Sequence, residues 1–225
     1  MIRMQMEKSN VSNDMEANLL KTGTTCLALR FDGGVIIAAD KRVSAGYRVG
    51  KAQKIHMLTK EKDDKLIGLA IAGMVSDAMS LVDLMRSELK LYKFENGYSA
   101  TTKAAATLLG VILHSGYRRY QPYWTQLIIA GQDKDGGAVY SIDPSGAVSK
   151  DDYVVIGSGS LFALSKLEDG WKEGITKDEA KALAIRAIKL AASRDLYSGD
   201  GIMVNVITAD GVEKEDINFT PLIEN

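Results

Sequence analysis

Cysteine, histidine, proline and long apolar runs are all scarce in this chain. Its only cysteine, Cys26, cannot form an internal disulfide. One thiol and two histidines, His56 and His114, are too few for a Cys/His zinc site. No carboxylates stand at a spacing that suggests a metal site, so neither a metal nor an organic cofactor is expected. No apolar run reaches the roughly 18 residues of a membrane-crossing helix. Charge of one sign is not in excess either. Lys plus Arg number 28, Asp plus Glu 29, and the net charge is -1. That balance gives no electrostatic case for nucleic acid or an anionic membrane as partner. With no secretory signal and a lone thiol, the cytoplasm is the expected compartment. Three prolines in the whole chain argue against long irregular linkers.

What is present is an ordinary globular balance over 225 residues, 46% hydrophobic and 25% charged. A chain this long buries about 70% of its unfolded surface, so it needs no disulfide or metal staple. The first 23 residues, MIRMQMEKSNVSNDMEANLLKTG, stand apart: polar, rich in Met and Asn, and without the apolar core of a secretory signal. Composition reads them as a frayed tail. A removable propeptide is the sharper reading, and it turns on the chemistry of the residues at the junction with the fold.

The rest alternates between strands and helices. Thr24 to Arg30 is apolar and β-branched enough for a strand, Asp32-Gly33-Gly34 signals a hairpin, and Val35 to Ala39 suits a buried strand. Lys54 to Leu58 and Leu66 to Ile71 read as a second hairpin, and the two hairpins together as an antiparallel sheet. Helices come next over Asp77 to Tyr92, with Gly97 a left-handed cap beyond, and over Ser99 to Ser115. Gln126 to Gly131, Ala138 to Ile142 and Tyr153 to Ile156 are short strands separated by turn sequences. Ser158 or Ser160 is placed to cap a third helix reaching about Leu167. Thr176 and Glu179 form a capping box for a fourth, Lys177 to Arg194. Strands at Met203 to Thr208 and Lys214 to Phe219 finish the chain. Helices in pairs between groups of hairpin-linked strands argue against a parallel βαβ sheet. The expected fold is an α/β (α+β) four-layer α-β-β-α sandwich, two antiparallel sheets flanked by helix pairs.

Three places could carry chemistry. Gly157-Ser158-Gly159-Ser160 sits between strand and helix but lacks the P-loop, dinucleotide and nucleophile-elbow patterns, so it reads as a turn and helix cap. His56 and His114 have no serine in a nucleophile context, so no serine triad is expected. Gly23-Thr24-Thr25, where tail meets fold, is the third. A threonine hydroxyl is a weak nucleophile unless a base adjoins it. A threonine at a chain's N-terminus carries its own base, an α-amine of pKa about 8. That base exists only if the Gly23–Thr24 bond is cut, and glycine leaves the preceding carbonyl unobstructed.

Gly-Thr-Thr is succeeded in order by DGGVIIAADKR, AGMVSDA, GSGS and RDLYSGDGI. In that order and context the chain, from Thr24 to near its end, resembles the catalytic β subunits of archaeal 20S proteasomes, members of the N-terminal nucleophile hydrolase family. The resemblance implies a threonine endopeptidase that degrades unfolded protein, with residues 1–23 an autocatalytically removed propeptide and 24–225 a single catalytic domain. It implies Thr24 as nucleophile, its freed amine moving the proton through a water, and Gly23–Thr24 as the processing site. Lys54 matches the active-site lysine, whose charge favours deprotonation of Thr24, and Asp40 the carboxylate that orients it. Gly73 matches the oxyanion donor, and Ser158, Asp195 and Ser198 the network around the Thr24 amine. Val43, Ile71 and Val75 match the pocket for the residue before the cut, here apolar and uncharged. Partners implied are other β subunits in a heptameric ring, outer α-subunit rings and, indirectly, an ATPase regulator.

The chain departs from the family in the stretch Gly46 to Lys54, which is slightly short and leaves Lys51 as a competitor for the lysine role. Without the resemblance, Asp40 and Lys54 are a surface ion pair worth under about 1 kcal/mol. Asp195 and Ser198 are then a helix C-terminal turn, and the three pocket residues ordinary core. Two other readings remain at this point: a non-catalytic structural β subunit of the same ring, and a different N-terminal nucleophile amidohydrolase on the same sandwich.

Overall fold

A computed structural model describes residues 23–45, 48–60, 63 and 65–219. Residues 1–22 of the expected propeptide, and Gly46 and Tyr47 of the short stretch before Lys54, lie outside the described residues. The elements, in order, are β1 (Thr25–Phe31), β2 (Gly34–Asp40), β3 (Arg42–Ala45), β4 (Arg48–Lys51), β5 (Ile55–Met57) and β6 (Leu66–Gly73), then α1 (Val75–Asn96) and α2 (Thr102–Arg118). The second half holds β7 (Thr125–Asp133), β8 (Gly136–Ile142), β9 (Val148–Asp151), β10 (Tyr153–Gly157), α3 (Ser160–Gly170), α4 (Lys177–Arg194), β11 (Ile202–Thr208) and β12 (Gly211–Ile217).

Two five-stranded sheets form, ordered β10-β1-β2-β11-β12 and β5-β6-β7-β8-β9, with β3-β4 a separate ribbon. Every neighbouring pair is antiparallel. The expected hairpins exist, but they do not share a sheet: β1-β2 belongs to one and β5-β6 to the other. Alternation of side chains along the strands explains the split, because β1, β2 and β6 each have two apolar faces to cover. Leu27, Leu29, Ile36 and Ala38 pack with Leu183 and Ile188 of α4, while Cys26, Ala28, Ile37 and Ala39 face the other sheet. On that sheet Ile67, Leu69, Leu127 and Ile129 pack with Leu81, Met85 and Leu109 of α1 and α2. Ala70, Ala72, Ile128 and Ala130 meet the first sheet. Three apolar layers thus hold the four-layer α-β-β-α sandwich, with helix pairs outside.

Local chemistry sets the helix ends. Gly97 is left-handed (φ 77°) and closes α1. Thr176 and Glu179 make the expected capping box on α4. The second helix starts at Thr102 rather than at Ser99, and Thr101 caps it, its side chain accepting from the Ala104 N–H. The serine cap expected for α3 is absent, since the N-cap is Gly159 and no side chain bonds there. Ser158 is engaged elsewhere. Strands β3, β4 and β9 were not legible in the sequence: each is four residues long, and β9, VSKD, is an exposed edge strand.

Strand register brings many ends to one edge. Thr25 lies opposite Gly157, Asp40 opposite Ile202, and Gly73 opposite Thr125. The start of β1, the end of β2, the end of β10 and the start of β11 share that edge with the end of β6 and the start of β7.

Candidate active site

Asp40 lies at the centre of this edge, fully buried. Its Oδ1 accepts from Lys54 Nζ at 2.7 Å and from the Thr25 N–H at 2.7 Å. Its Oδ2 accepts from the N–H groups of Gly199 at 2.9 Å and Arg42 at 3.0 Å. One carboxylate therefore ties β1, β2, the residue before β5 and the loop after α4 together. Burial pushes the Asp40 carboxyl above the ordinary carboxylate range, while the Lys54 ammonium and the backbone N–H donors pull it back. Lys54 is 4% exposed, so this is a buried pair and not the surface pair that composition allowed. Lys54 precedes β5 rather than opening it. Lys51 is exposed on β4, opposite Arg42, so Lys54 is the lysine that reaches Asp40.

Thr24 is buried beside this pair. Its hydroxyl donates to the carbonyl oxygen of Gly23 at 2.6 Å, and Lys54 Nζ stands 3.5 Å from that same oxygen. The Thr24 N–H donates to Ser158 Oγ at 3.2 Å. Ser158 Oγ in turn donates to Asp195 Oδ2 at 2.6 Å, and Ser198 Oγ donates to that oxygen at 2.7 Å. Ser198 Oγ also lies 2.7 Å from Thr25 Oγ1. Asp195 thus holds two hydroxyls, one bonded to the Thr24 nitrogen and one to Thr25. These bonds use Ser158 at the site rather than at the end of α3.

Two glycines are required by close approach. A Cβ on Gly23 would stand 1.6 Å from the Tyr197 Cβ. The packing of Tyr197, and not only an open path to the carbonyl, therefore demands glycine there. The Gly23 N–H donates to Ser44 Oγ at 3.3 Å. Gly73 has φ +115°, and a Cβ there would meet the Trp124 carbonyl oxygen at 2.3 Å. Its backbone turns out of β6 at the open edge.

Several supports carry no signal in the sequence that reveals their role. The Arg42 guanidinium grips Asp200 through Nε at 2.9 Å and Nη2 at 3.1 Å, and its Nη1 donates to the Leu196 carbonyl at 2.9 Å. That fork holds the loop carrying Ser198 and Gly199, and it holds the Asp200 carboxyl below its ordinary range. Asp200 sits in the left-handed region at φ 62°. Arg42 and Asp200 do stand within Asp40-Lys41-Arg42 and Ser198-Gly199-Asp200, but only folding pairs them. Thr25 and Tyr197 likewise stand within Gly-Thr-Thr and RDLYSGDGI, motifs that do not reveal their contacts, and Ser44 stands outside any such motif.

The expected pocket residues are spread around the edge. Ile71 is built into the layer beneath α1 and α2; its N–H donates to the Lys54 carbonyl at 3.1 Å and its carbonyl accepts from Cys26 Sγ at 3.3 Å. Val75 begins α1 and is 48% exposed. Val43 is half-buried on β3, opposite Gly50. Burial pushes the Cys26 thiol up to about 12, so it stays a neutral core side chain. His56 Nε2 lies 3.2 Å from the Gln53 carbonyl and His114 Nδ1 lies 3.0 Å from the Ser145 carbonyl; neither meets a serine hydroxyl. Among the described residues no three His, Cys, Asp or Glu side chains stand together so as to hold a metal ion. None of the described helices is long and apolar enough to cross a membrane.

Comparison with known proteins adds to this geometry. Residues 20–207 match the family model described as proteasome subunit. The chain is 42% identical over 197 residues to a proteasome subunit beta of Methanocorpusculum labreanum, covering 86% of this chain and 90% of that one. It is 41% identical over 204 residues to that of Methanoculleus marisnigri, covering 89% and 92%. For the Haloferax volcanii protein of the same description the identity is 40% over 198 residues, covering 86% and 76%.

Proposed function

The chain belongs to the proteasome subunit family, and on that premise we propose that it is a threonine endopeptidase that cuts unfolded polypeptide, with Thr24 as nucleophile. It works within a particle built with other β subunits in a heptameric ring, between α-subunit rings, fed by an ATPase in the cytoplasm. Residues 1–23 are a propeptide that Thr24 removes, and 24–225 form the catalytic domain.

One observation carries this reading: the Thr24 hydroxyl rests on the carbonyl of the residue before it, with the Lys54 ammonium on the same oxygen. In processing, Thr24 Oγ bonds to the Gly23 carbonyl carbon, the Gly23–Thr24 C–N bond breaks, and the hydroxyl proton passes to the departing nitrogen. Lys54 faces the negative charge that develops on the carbonyl oxygen. Water then adds to the ester, releasing the Gly23 carboxylate and restoring the hydroxyl. The freed amine stays against Ser158 and serves as base for substrate. It takes the hydroxyl proton, through a water, as Oγ attacks the substrate carbonyl, and gives it to the leaving amine; water then hydrolyses the ester so formed, releasing the new carboxylate and restoring the hydroxyl. The Gly73 N–H receives the oxyanion. Asp40 keeps Lys54 aimed at that site, and Asp195 and Ser198 hold Ser158 and Thr25.

A structural subunit that does not cut is the rival reading. The buried Lys54–Asp40 pair argues against it, because desolvating two charges is costly and a merely structural edge is served as well by apolar packing. The test is the intact mass and N-terminal residue of assembled particles, with peptidase activity on short peptides. Loss of residues 1–23 and a new N-terminal Thr24 are expected, with Thr24→Ala retaining the tail and losing activity. Active particles with Met1 still attached would overturn the proposal.

A further inference from the structure

A cavity of about 300 Å³ opens between the two sheets at the edge that carries Thr24. Its walls include Gly73, Trp124, Gln126, Pro144, Gly157 and Ser158. None of the expected pocket residues Val43, Ile71 and Val75 lines it. The cavity is held open by fixed bonds. The Trp124 N–H donates to Asp77 Oδ2 at 2.9 Å, and the Trp124 carbonyl accepts from the Met74 N–H at 2.9 Å. The Gly157 N–H donates to Gln126 Oε1 at 3.1 Å, bridging the two sheets at the cavity rim.

The chemistry of the cut says which part of a substrate passes here. The Thr24 nitrogen, once freed, must give its proton to the leaving amine. That nitrogen lies against Ser158 Oγ. The leaving nitrogen, and the residue it belongs to, therefore depart on the Ser158 side. Ser158 and Gly73, the oxyanion donor, are both walls of the cavity. We infer that this cavity is the specificity subsite for the first residue after the cut, and that it takes an uncharged side chain. The inference rests on the peptidase reading above and adds a determinant of its substrates.

Among the described residues no ionisable side chain lines the cavity. Two acids stand behind the walls, Asp195 bonded to Ser158 Oγ and Asp77 bonded to the Trp124 N–H, and both repel a second carboxylate. A Glu or Asp entering here loses water and finds no cationic side chain on the walls, and the Thr24 amine beside Ser158 is uncharged when it acts as base, whereas the matching Gln or Asn has only an amide to satisfy. A difference of about 1.4 kcal/mol between them is a tenfold difference in kcat/KM.

The experiment uses assembled, processed particles and internally quenched peptides that differ only in the residue after the cut: Gln, Glu, Asn, Asp and Leu. Mass spectrometry verifies the bond cleaved. Gln is expected to exceed Glu, and Asn to exceed Asp, by about tenfold in kcat/KM. Trp124→Ala removes a wall and is expected to bring those ratios toward one, while the preference for the residue before the cut stays unchanged. Pro144→Ala, from the opposite wall, provides a second variant if Trp124→Ala does not assemble. Brisk cleavage at equal rates across the series overturns the subsite and leaves the threonine chemistry standing. Unchanged ratios in an assembled wall variant overturn the assignment to this cavity. No cleavage of any peptide overturns the peptidase reading, and the subsite with it.

Discussion

Lys54 shows how one side chain concentrates the electrostatics of this edge. It is buried, 2.7 Å from Asp40 and 3.5 Å from the Gly23 carbonyl oxygen. Truncating one partner of a buried pair leaves the other charge without compensation, at a cost of about 3–5 kcal/mol. Lys54→Ala is therefore expected to abolish peptidase activity, slow tail removal and lower the thermal midpoint. Lys51→Ala, at an exposed strand position, should do none of these; the reverse pattern in activity and mass measurements would move the lysine role to Lys51. Gly23 provides a second test. Tyr197 occupies the space a Cβ would need, so Gly23→Ala must shift the carbonyl away from Thr24 Oγ. Intact mass is expected to show the tail retained in most subunits. Complete processing of Gly23→Ala would show that Tyr197 yields easily.

At the scale of elements, the loop between α4 and β11 depends on Arg42 reaching across from β3. The guanidinium fork binds the Asp200 carboxylate and the Leu196 carbonyl, flanking Ser198 and Gly199. Because Arg42 holds the Asp200 pKa below its unfolded value, the contribution to stability is full above the unfolded carboxylate pKa of about 4. It is lost as pH falls through the folded value, where the native carboxylate also takes a proton. The thermal midpoint of Asp200→Asn should therefore lie below that of the parent near pH 7. The gap should close as the pH is lowered below about 4. A gap that stays constant over that range would mean the carboxylate charge contributes nothing.

For the whole molecule, the sandwich leaves one edge where ends from both sheets converge, and the proposed substrate groove lies there. Val43, Ile71 and Val75 carry no charge to pair with an ionised side chain. Burying a Leu or Tyr side chain gains roughly 1.5–3 kcal/mol, while an unpaired charge against such a wall is unfavourable. Each kcal/mol changes kcat/KM about fivefold. Cleavage after Leu or Tyr is expected to exceed cleavage after Arg, Lys, Asp or Glu, measured as kcat/KM on peptides differing only before the cut. Equal cleavage after Arg or Glu would mean that another residue forms the pocket floor.

Much of the architecture was legible in the chain itself, because the layers arise from short-range patterns. Continuous apolar runs in β1, β2, β6 and β7 require two covered faces, and the stripe on α4 with its Thr176–Glu179 box supplies one cover. Motif order also pointed to Thr24, Asp40, Lys54, Gly73, Ser158, Asp195 and Ser198, each of which lies on or next to the shared edge. Strands β3, β4 and β9 carry no such pattern, being four residues long and without a continuous apolar run. Pairings were beyond the sequence for a simpler reason. Periodicity extends over neighbours, whereas Thr24 meets Ser158 across 134 positions and Arg42 meets Asp200 across 158. Only the tertiary structure decided that β1-β2 and β5-β6 fall in different sheets, that Lys54 and not Lys51 meets Asp40, and that Tyr197 demands glycine at position 23. Each depends on which backbones come within a few ångströms, and that is settled by how the three apolar layers close together.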